Sequence, residues 1–331
     1  MPSGPYVHRL DPILLDAGGV YLWWYGLSYT LGFLHLHLFL RRRRAALGLS
    51  LRDVYTLSIL FAAGVLAGGR LVQVLFDEWP LYRDHPELVP AYWLGGMATH
   101  GLLLGGAAAA WLFAKRTGRP FLELADALVV PGAMLMGLGR IGNFIDGQIV
   151  GRLASPAAWW AVVFPHAEGP RHAVVLYDGT KNLLLVPYLL WVRRTNPTRG
   201  AVAARFVFWY AFPRIFLDFL REYPAHRFEL GTGQTLNIAM AAVGLLLVYR
   251  SRLRRLGRLG TPMKTPAFQH RHWERATLGQ RALFAAVLLF CLTIPSNWTQ
   301  DIPARYAGRH AGLRHSWLYP PIDNAAVPRD P

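Results

Sequence analysis

The chain has 331 residues, 53% of them hydrophobic and only 16% charged, where an ordinary soluble domain carries about 25% charged residues. That deficit excludes a soluble globular domain. The net charge of +16 at pH 7 would suit a nucleic-acid binder, but its placement beside apolar runs argues against that partner.

About 20 apolar residues cross the hydrocarbon layer of a bilayer. Eight runs qualify as candidates, at about 18–40, 54–76, 93–114, 122–138, 182–192, 201–220, 234–249 and 282–296. The fifth and the last are the shortest. Basic residues cluster in RRRR (41–44), KRTGR (115–119), RRTNPTR (193–199) and the stretch from Arg250 to Arg281. These patches follow runs one, three, five and seven, which is the pattern of cytoplasmic loops. The expected topology therefore has the N-terminus outside and, after an eighth span, the C-terminal tail outside too.

The first apolar run lacks a basic leader and is too long for a signal core, so it reads as a span rather than a cleaved signal. The chain divides into a membrane core over 1–258, a basic cytoplasmic linker over 259–280, and a last span with an outer tail over 281–331. That tail reads as irregular structure, and NWT at 297–299 fits a glycosylation pattern that is common by chance. The loop 139–181 has an apolar middle, PAAWWAVVFP, suited to the membrane surface. The only cysteine, Cys291, sits within the eighth run and reads as a small buried hydrophobe. Any thiol in the chemistry must then come from a substrate.

Ionisable groups at membrane depth are costly and are functional candidates by default. Arg70 lies in run two, His100 in run three, and Arg205, Arg214 and Asp218 in run six, with Arg221 just beyond. The stretch GRIGNFIDGQIVGR (139–152) adds Arg140, Asn143, Asp146, Gln148 and Gly151 at the end of run four. Arg214 and Asp218 are four apart and suited to pair on one helix face. Arg70, Arg140, Arg214 and Arg221 would converge with few carboxylates to neutralise them. A planar guanidinium fork matches phosphate, and the anion an outer leaflet supplies is a phospholipid head group. The glycines of GRIGN read as a tight loop that presents N–H groups to that phosphate. His100 reads either as a satisfied structural residue or as a proton acceptor near neutral pH. His35 and His37 are two apart near a basic end and read as interfacial, with no metal role.

GRIGNFIDGQIVGR resembles the signature of the prolipoprotein diacylglyceryl transferases, whose usual form is GRIGNFINGELxGR. WYGLSY (24–29), AGGRLVQVLF (67–76), GGMATHG (95–101), ADALVVPGAMLMGLGR (125–140), RHAVVLYD (171–178), WYAFPRIFLDFLREYP (209–224) and GTGQTLNIAMA (231–241) are similar in the same order. The resemblance covers about residues 12–250. It implies an all-α integral membrane protein, a multi-span helical bundle of seven family-like spans to which this chain adds an eighth. It implies an inner-membrane enzyme that moves the diacylglyceryl group of phosphatidylglycerol onto the lipobox cysteine of a prolipoprotein signal peptide. The products would be a thioether and glycerol phosphate, with no cofactor, no metal and no nucleic acid involved.

Carried over position by position, the resemblance assigns catalysis to His100, Arg140, Arg214 and Tyr25, and substrate binding to Asn143 and Gly151. Arg70 and Asp126 match recurring positions. Asp146, Gln148, Asp218 and Arg221 join the binding set from the residues themselves. The sequence departs from the usual pattern where Gln148 replaces the signature glutamate and Asp146 its second asparagine. Leu102 and Ala211 replace glycines, Val174 and Val175 replace serine and glutamine, and Asp218 replaces a glutamate. The alternative is a lipid-binding membrane paralogue without catalysis or with altered specificity. A transporter is disfavoured because no inverted repeat is visible.

Overall fold

A computed structural model describes residues 4–196, 198–222, 231–257, 275–296 and 301–322. Most of the linker, the NWT site and the last nine residues of the tail lie outside the described residues. The long helices are α1 (Trp24–Arg43) and α2 (Leu51–Val72), then, after the short α3 (Trp79–Asp84), α4 (Thr99–Thr117), α5 (Phe121–Asp146) and α6 (Val174–Thr195). They continue as α7 (Ala201–Leu217), α8 (Thr232–Arg255) and α9 (Leu278–Cys291), and a single turn, α10 (Ile302–Tyr306), follows. The segments Leu51–Asp77, Phe121–Asp146 and Gly233–Arg255 are long and apolar enough to cross a membrane. The protein is a helical membrane protein.

Local chemistry explains where these helices start and stop. Ser50 and Asp53 form a capping box at the start of α2, and Thr277 and Gln280 form another at the start of α9. Gly118, at φ +68°, ends α4 in the left-handed conformation that glycine adopts without strain. Pro131, Pro187 and Pro213 sit inside α5, α6 and α7, where neighbouring helices support the interrupted backbone. The core follows these helices: Phe33, Leu36, Leu57, Phe113, Ala127 and Leu189 are among its fully buried side chains.

The basic helix ends gather at one end of the bundle. Arg119 at the end of α4 donates to the Leu47 and Gly48 carbonyls between α1 and α2. Arg199 pairs with Glu123 at the start of α5, and Gln280 of α9 bonds Thr56 of α2. The other end carries the irregular structure. There β1 (Tyr6–Val7) runs parallel to β4 (Val162–Val163), which pairs antiparallel with β5 (Pro170–Arg171). A separate hairpin joins β2 (Ile13–Asp16) and β3 (Tyr21–Trp23), with Ile13 opposite Trp23.

Several expectations change here. The fourth apolar run does not end at 138, because α5 continues to Asp146 and GRIGNFID is helical. The tight turn comes later, at Gly147 (φ +70°) and Ile149 (φ +61°). The fifth run begins at Val174 rather than 182, so its polar start is helix rather than loop. The sixth helix stops at Leu217, and a 3-10 turn carries Asp218–Leu220. The described tail is largely irregular, as expected, with one short helix, but it is packed: Ile302, Tyr306, Leu313 and Tyr319 bury against Ile13, Tyr21, Trp23 and Leu94. His37 is buried instead of interfacial. Its Nδ1 lies 3.0 Å from Ser58 Oγ, and its ring packs on Tyr55 and on Phe284 of α9.

Candidate active site

The polar centre forms where α4, α5, α6 and α7 meet near the irregular end. Arg140 lies in the last turns of α5, and its fork is held on three sides. Nε donates to Asp178 Oδ2 at 2.7 Å, Nη1 to Asn143 Oδ1 at 3.0 Å, and Nη2 to Thr99 Oγ1 at 3.2 Å. Arg214 of α7 donates to the same Asp178 Oδ2, and Lys181 lies 2.8 Å from Asp178 Oδ1. One carboxylate on α6 therefore gathers two guanidiniums and an ammonium from three helices. Lys181 also donates to the Tyr210 carbonyl at 2.9 Å and sits over its ring.

A second carboxylate extends the centre. Asp218 lies 3.8 Å from both Arg214 and Arg221, and Asn237 of α8 donates to it at 3.2 Å. Among the described residues of this cluster, four cations (Arg140, Lys181, Arg214 and Arg221) face two carboxylates. A small pocket opens among Arg140, Asp178, Arg214, Asp218 and Arg221, with Ile149 and Val174 on its walls. His100, in the first turn of α4, neighbours Arg214, Asn237, Asp218 and Arg140, and its Nε2 is buried without a hydrogen-bond partner among the described residues. Buried charges need partners, and guanidinium groups that line a pocket suit an anion such as phosphate.

The segment after Gly147 closes one side. Gly151 bridges to Arg221, and Arg152 N donates to the Leu220 carbonyl at 2.8 Å. Gly151 has no room for a side chain, because a Cβ there would meet His172 Cβ at 2.9 Å. Asn143 touches Arg140 and so orients the guanidinium.

Other candidates sit apart from the pocket. Arg70 donates to the carbonyls of Leu88 (2.6 Å), Val89 (2.8 Å), Ala91 (3.2 Å) and Gly95, between the rings of Tyr82 and Tyr92. It pins the 88–97 loop and does not join the arginine cluster. The Tyr25 hydroxyl pairs with Tyr29 at 3.0 Å, and its backbone packs against Gly142. Asp146 and Gln148 turn toward the C-terminal segment, where Ser296 donates to Asp146 and Gln148 donates to Tyr306. Asp126 accepts from the backbone N–H groups of Gly200 and Ala203, both at 2.7 Å, and so caps the start of α7. Arg205 donates to a carbonyl of its own helix.

Asp178 is the centre of the cluster and is absent from the residues singled out in the sequence. The usable signal was the acid–lysine pair Asp178 and Lys181, three apart at the start of an apolar run. Drawing that run from 182 left both outside the membrane-depth rule.

Fold and site together define a helical membrane protein with a buried cationic centre at one end of its bundle. The prolipoprotein diacylglyceryl transferase family model matches residues 12–250. A relative from Azoarcus sp. (strain BH72), named phosphatidylglycerol–prolipoprotein diacylglyceryl transferase, is 37% identical over 250 residues, covering 72% of this chain and 94% of its own. Relatives of the same name from Verminephrobacter eiseniae (strain EF01-2) and Neisseria gonorrhoeae (strain ATCC 700825 / FA 1090) are 38% and 35% identical. They cover 74% and 72% of this chain, each with 95% of its own length. The chain belongs to the prolipoprotein diacylglyceryl transferase family.

Proposed function

We propose that this chain transfers the diacylglyceryl group of phosphatidylglycerol to the lipobox cysteine thiol of a prolipoprotein. The observation that carries the reading is the convergence of Arg140, Arg214 and Arg221 on one small pocket. Their planar forks suit the phosphate of a phospholipid. An apolar cavity of about 410 Å³ runs between α2, α4, α5, α7 and α8, lined by Phe61, Leu102, Leu135, Met136, Phe206 and Met240 and reaching Arg199 and Arg250 at the basic end. Leu102 is two residues from His100, and Met136 is one turn from Arg140, so an amphiphile can keep its head among the arginines and its tails in the cavity.

The transfer breaks the bond between a glycerol carbon and its phosphate oxygen and forms a sulfur–carbon bond. A free cysteine thiol has a pKa of about 8.5 and attacks as the thiolate. His100 is the base we assign to take its proton, with neutral imidazole suited to that task. Negative charge grows on the departing phosphate ester. Arg140 and Arg214 meet that charge already oriented, which is where fixed cations contribute most. Asp178 holds both forks in place, and Asn143 fixes the remaining edge of Arg140. Gly151 and Arg221 close the pocket, while Tyr25, Arg70, Asp146 and Gln148 support its frame.

The same reading extends to topology. Seven spans, from α1 to α8 without α3, carry the family part, and α9 forms an eighth. The basic ends face the cytoplasm by their charge, which puts the pocket, the N-terminus and the C-terminal tail on the outer side of a bacterial inner membrane. The core 1–258, the linker 259–280 and the extension 281–331 then act as three units.

The test uses membranes that contain only this protein, labelled phosphatidylglycerol and a lipobox peptide. Thioether product and free glycerol phosphate that vanish in Arg140→Ala are the expected result. Tight lipid binding without product would replace the transferase reading with that of a lipid-binding paralogue. Near-normal turnover in His100→Gln would remove His100 as the base.

A further inference from the structure

The family match ends at residue 250, yet the chain beyond it returns to the site. Ser296 donates to Asp146 Oδ2 through its backbone N–H at 3.0 Å and its hydroxyl at 2.6 Å, and Asp146 is fully buried. Arg309 donates to the Asp146 carbonyl at 2.7 Å, to the Ile145 carbonyl at 3.4 Å and to the Leu10 carbonyl at 3.1 Å. The first two carbonyls end α5, where helical backbone lacks partners and a cation is favoured. The guanidinium also packs closely on Gly147, where a Cβ would stand 3.3 Å from Arg309 Nη1. One step further, Gln148 donates to the Tyr306 hydroxyl at 3.1 Å.

These contacts flank a strained position. Ile149 has φ +61°, the only described non-glycine residue at positive φ. A β-branched side chain there is a genuine outlier that surrounding structure must enforce. Ile149 lines the pocket with Arg140, Asp178 and Arg214. The extension is itself anchored. Tyr306 packs on Trp23, Tyr319 on Tyr21, His310 Nδ1 lies 2.8 Å from Asp11, and Trp93 donates to the Leu318 carbonyl.

We propose that residues 292–296 and 301–322 form a clasp that holds the Gly147–Ile149 turn in its left-handed conformation and so keeps the wall of the cationic pocket in place for transfer. Arg309 and Tyr306 are its positioning residues, acting through Asp146 and Gln148. The statement about transfer rests on the transferase reading of the site; the statement about the turn does not.

The test compares full-length protein with Arg309→Gln and Tyr306→Phe in nanodiscs containing phosphatidylglycerol. Releasing a strain of this kind is expected to lower kcat about tenfold in Arg309→Gln and less in Tyr306→Phe, with KM for the lipid little changed because both pocket arginines remain. Ile149→Gly, which removes the strain, is expected to recover most of the lost turnover when added to Arg309→Gln. A purely structural loss would not respond to that change. Hydrogen exchange at 147–151 is expected to accelerate in both variants while α1 stays protected. If Arg309→Gln does not fold, Tyr306→Phe decides alone, because it removes one hydroxyl. Turnover within twofold of the parent together with unchanged exchange at 147–151 would overturn the clasp. A parent protein without transfer activity would refute the transferase reading, and exchange at 147–151 would still decide whether the extension holds the turn.

Discussion

Between α2 and α4 the helices meet through glycine, whereas between α5, α6 and α7 they meet through charge. In the first seam Gly64 and Gly68 face Gly101 and Gly105, and a Cβ on Gly64 would come within 2.5 Å of the Gly105 carbonyl oxygen. Backbones this close gain dispersion contact without any polar group, the usual solution where lipid removes the hydrophobic drive. In the second seam Asp178 binds Arg140, Arg214 and Lys181. Nothing about helix association requires three cations there. The glycine seam carries backbone contact alone, and the charged seam lines a pocket with guanidinium groups that suit an anion. The difference separates what holds the bundle together from what the bundle holds.

Substitutions at five positions would break or sharpen that contrast. Asp178→Asn should have the largest effect, because it removes the carboxylate that Arg140, Arg214 and Lys181 share, and breaking a buried pair costs about 3–5 kcal/mol. Thermal unfolding in detergent should register the loss, and phosphatidylglycerol should restore more of it than phosphatidylcholine does. Arg140→Ala and Arg214→Ala should each slow transfer by about 10²–10³, the effect of removing one preorganised donor. Lysine at either position should rescue little, since it lacks the planar fork. On the other seam, Gly105→Ala would set a Cβ 1.9 Å from the Gly64 carbonyl oxygen and should cost about 3 kcal/mol by overpacking. Its turnover per folded molecule should stay near the parent value. The smallest effect is expected at Gly132, where an added Cβ would meet nothing within 4 Å. Ala there should stabilise by about 0.5–1 kcal/mol, read as a small rise in the unfolding midpoint.

The helical class and the charged residues of the pocket, Asp178 excepted, were legible in the sequence. Rules about charge at membrane depth found Arg140, His100, Arg214, Asp218 and Arg221 because a lone ionisable group stands out in an apolar run. The same rules could not distinguish Arg70, which spends its fork on four backbone carbonyls, from an arginine that faces a ligand. Asp178 was hidden because the two valines before it lengthen α6 by eight residues beyond the apolar run drawn from 182. Two-residue strands such as β4 and β5 leave no period to read. The contacts of Asp146 with Ser296 and of Gln148 with Tyr306 join positions about 150 residues apart, and no local pattern encodes such pairings.

The carboxylate of Asp126 has a consequence for the two arginines at the opposite end of the bundle. It ties α5 to the first turn of α7 by binding Gly200 and Ala203. Arg140 lies 14 residues beyond Asp126, and Arg214 lies 14 beyond Gly200. The two helices thus act as the arms of a pair of compasses, each about 21 Å long at 1.5 Å per residue. At that radius a change of about 5° at the joint opens the tips by about 2 Å, the difference between two guanidiniums sharing one oxygen and two that do not meet. The spacing of the two arginines at one end of the bundle is in this way gauged from the other.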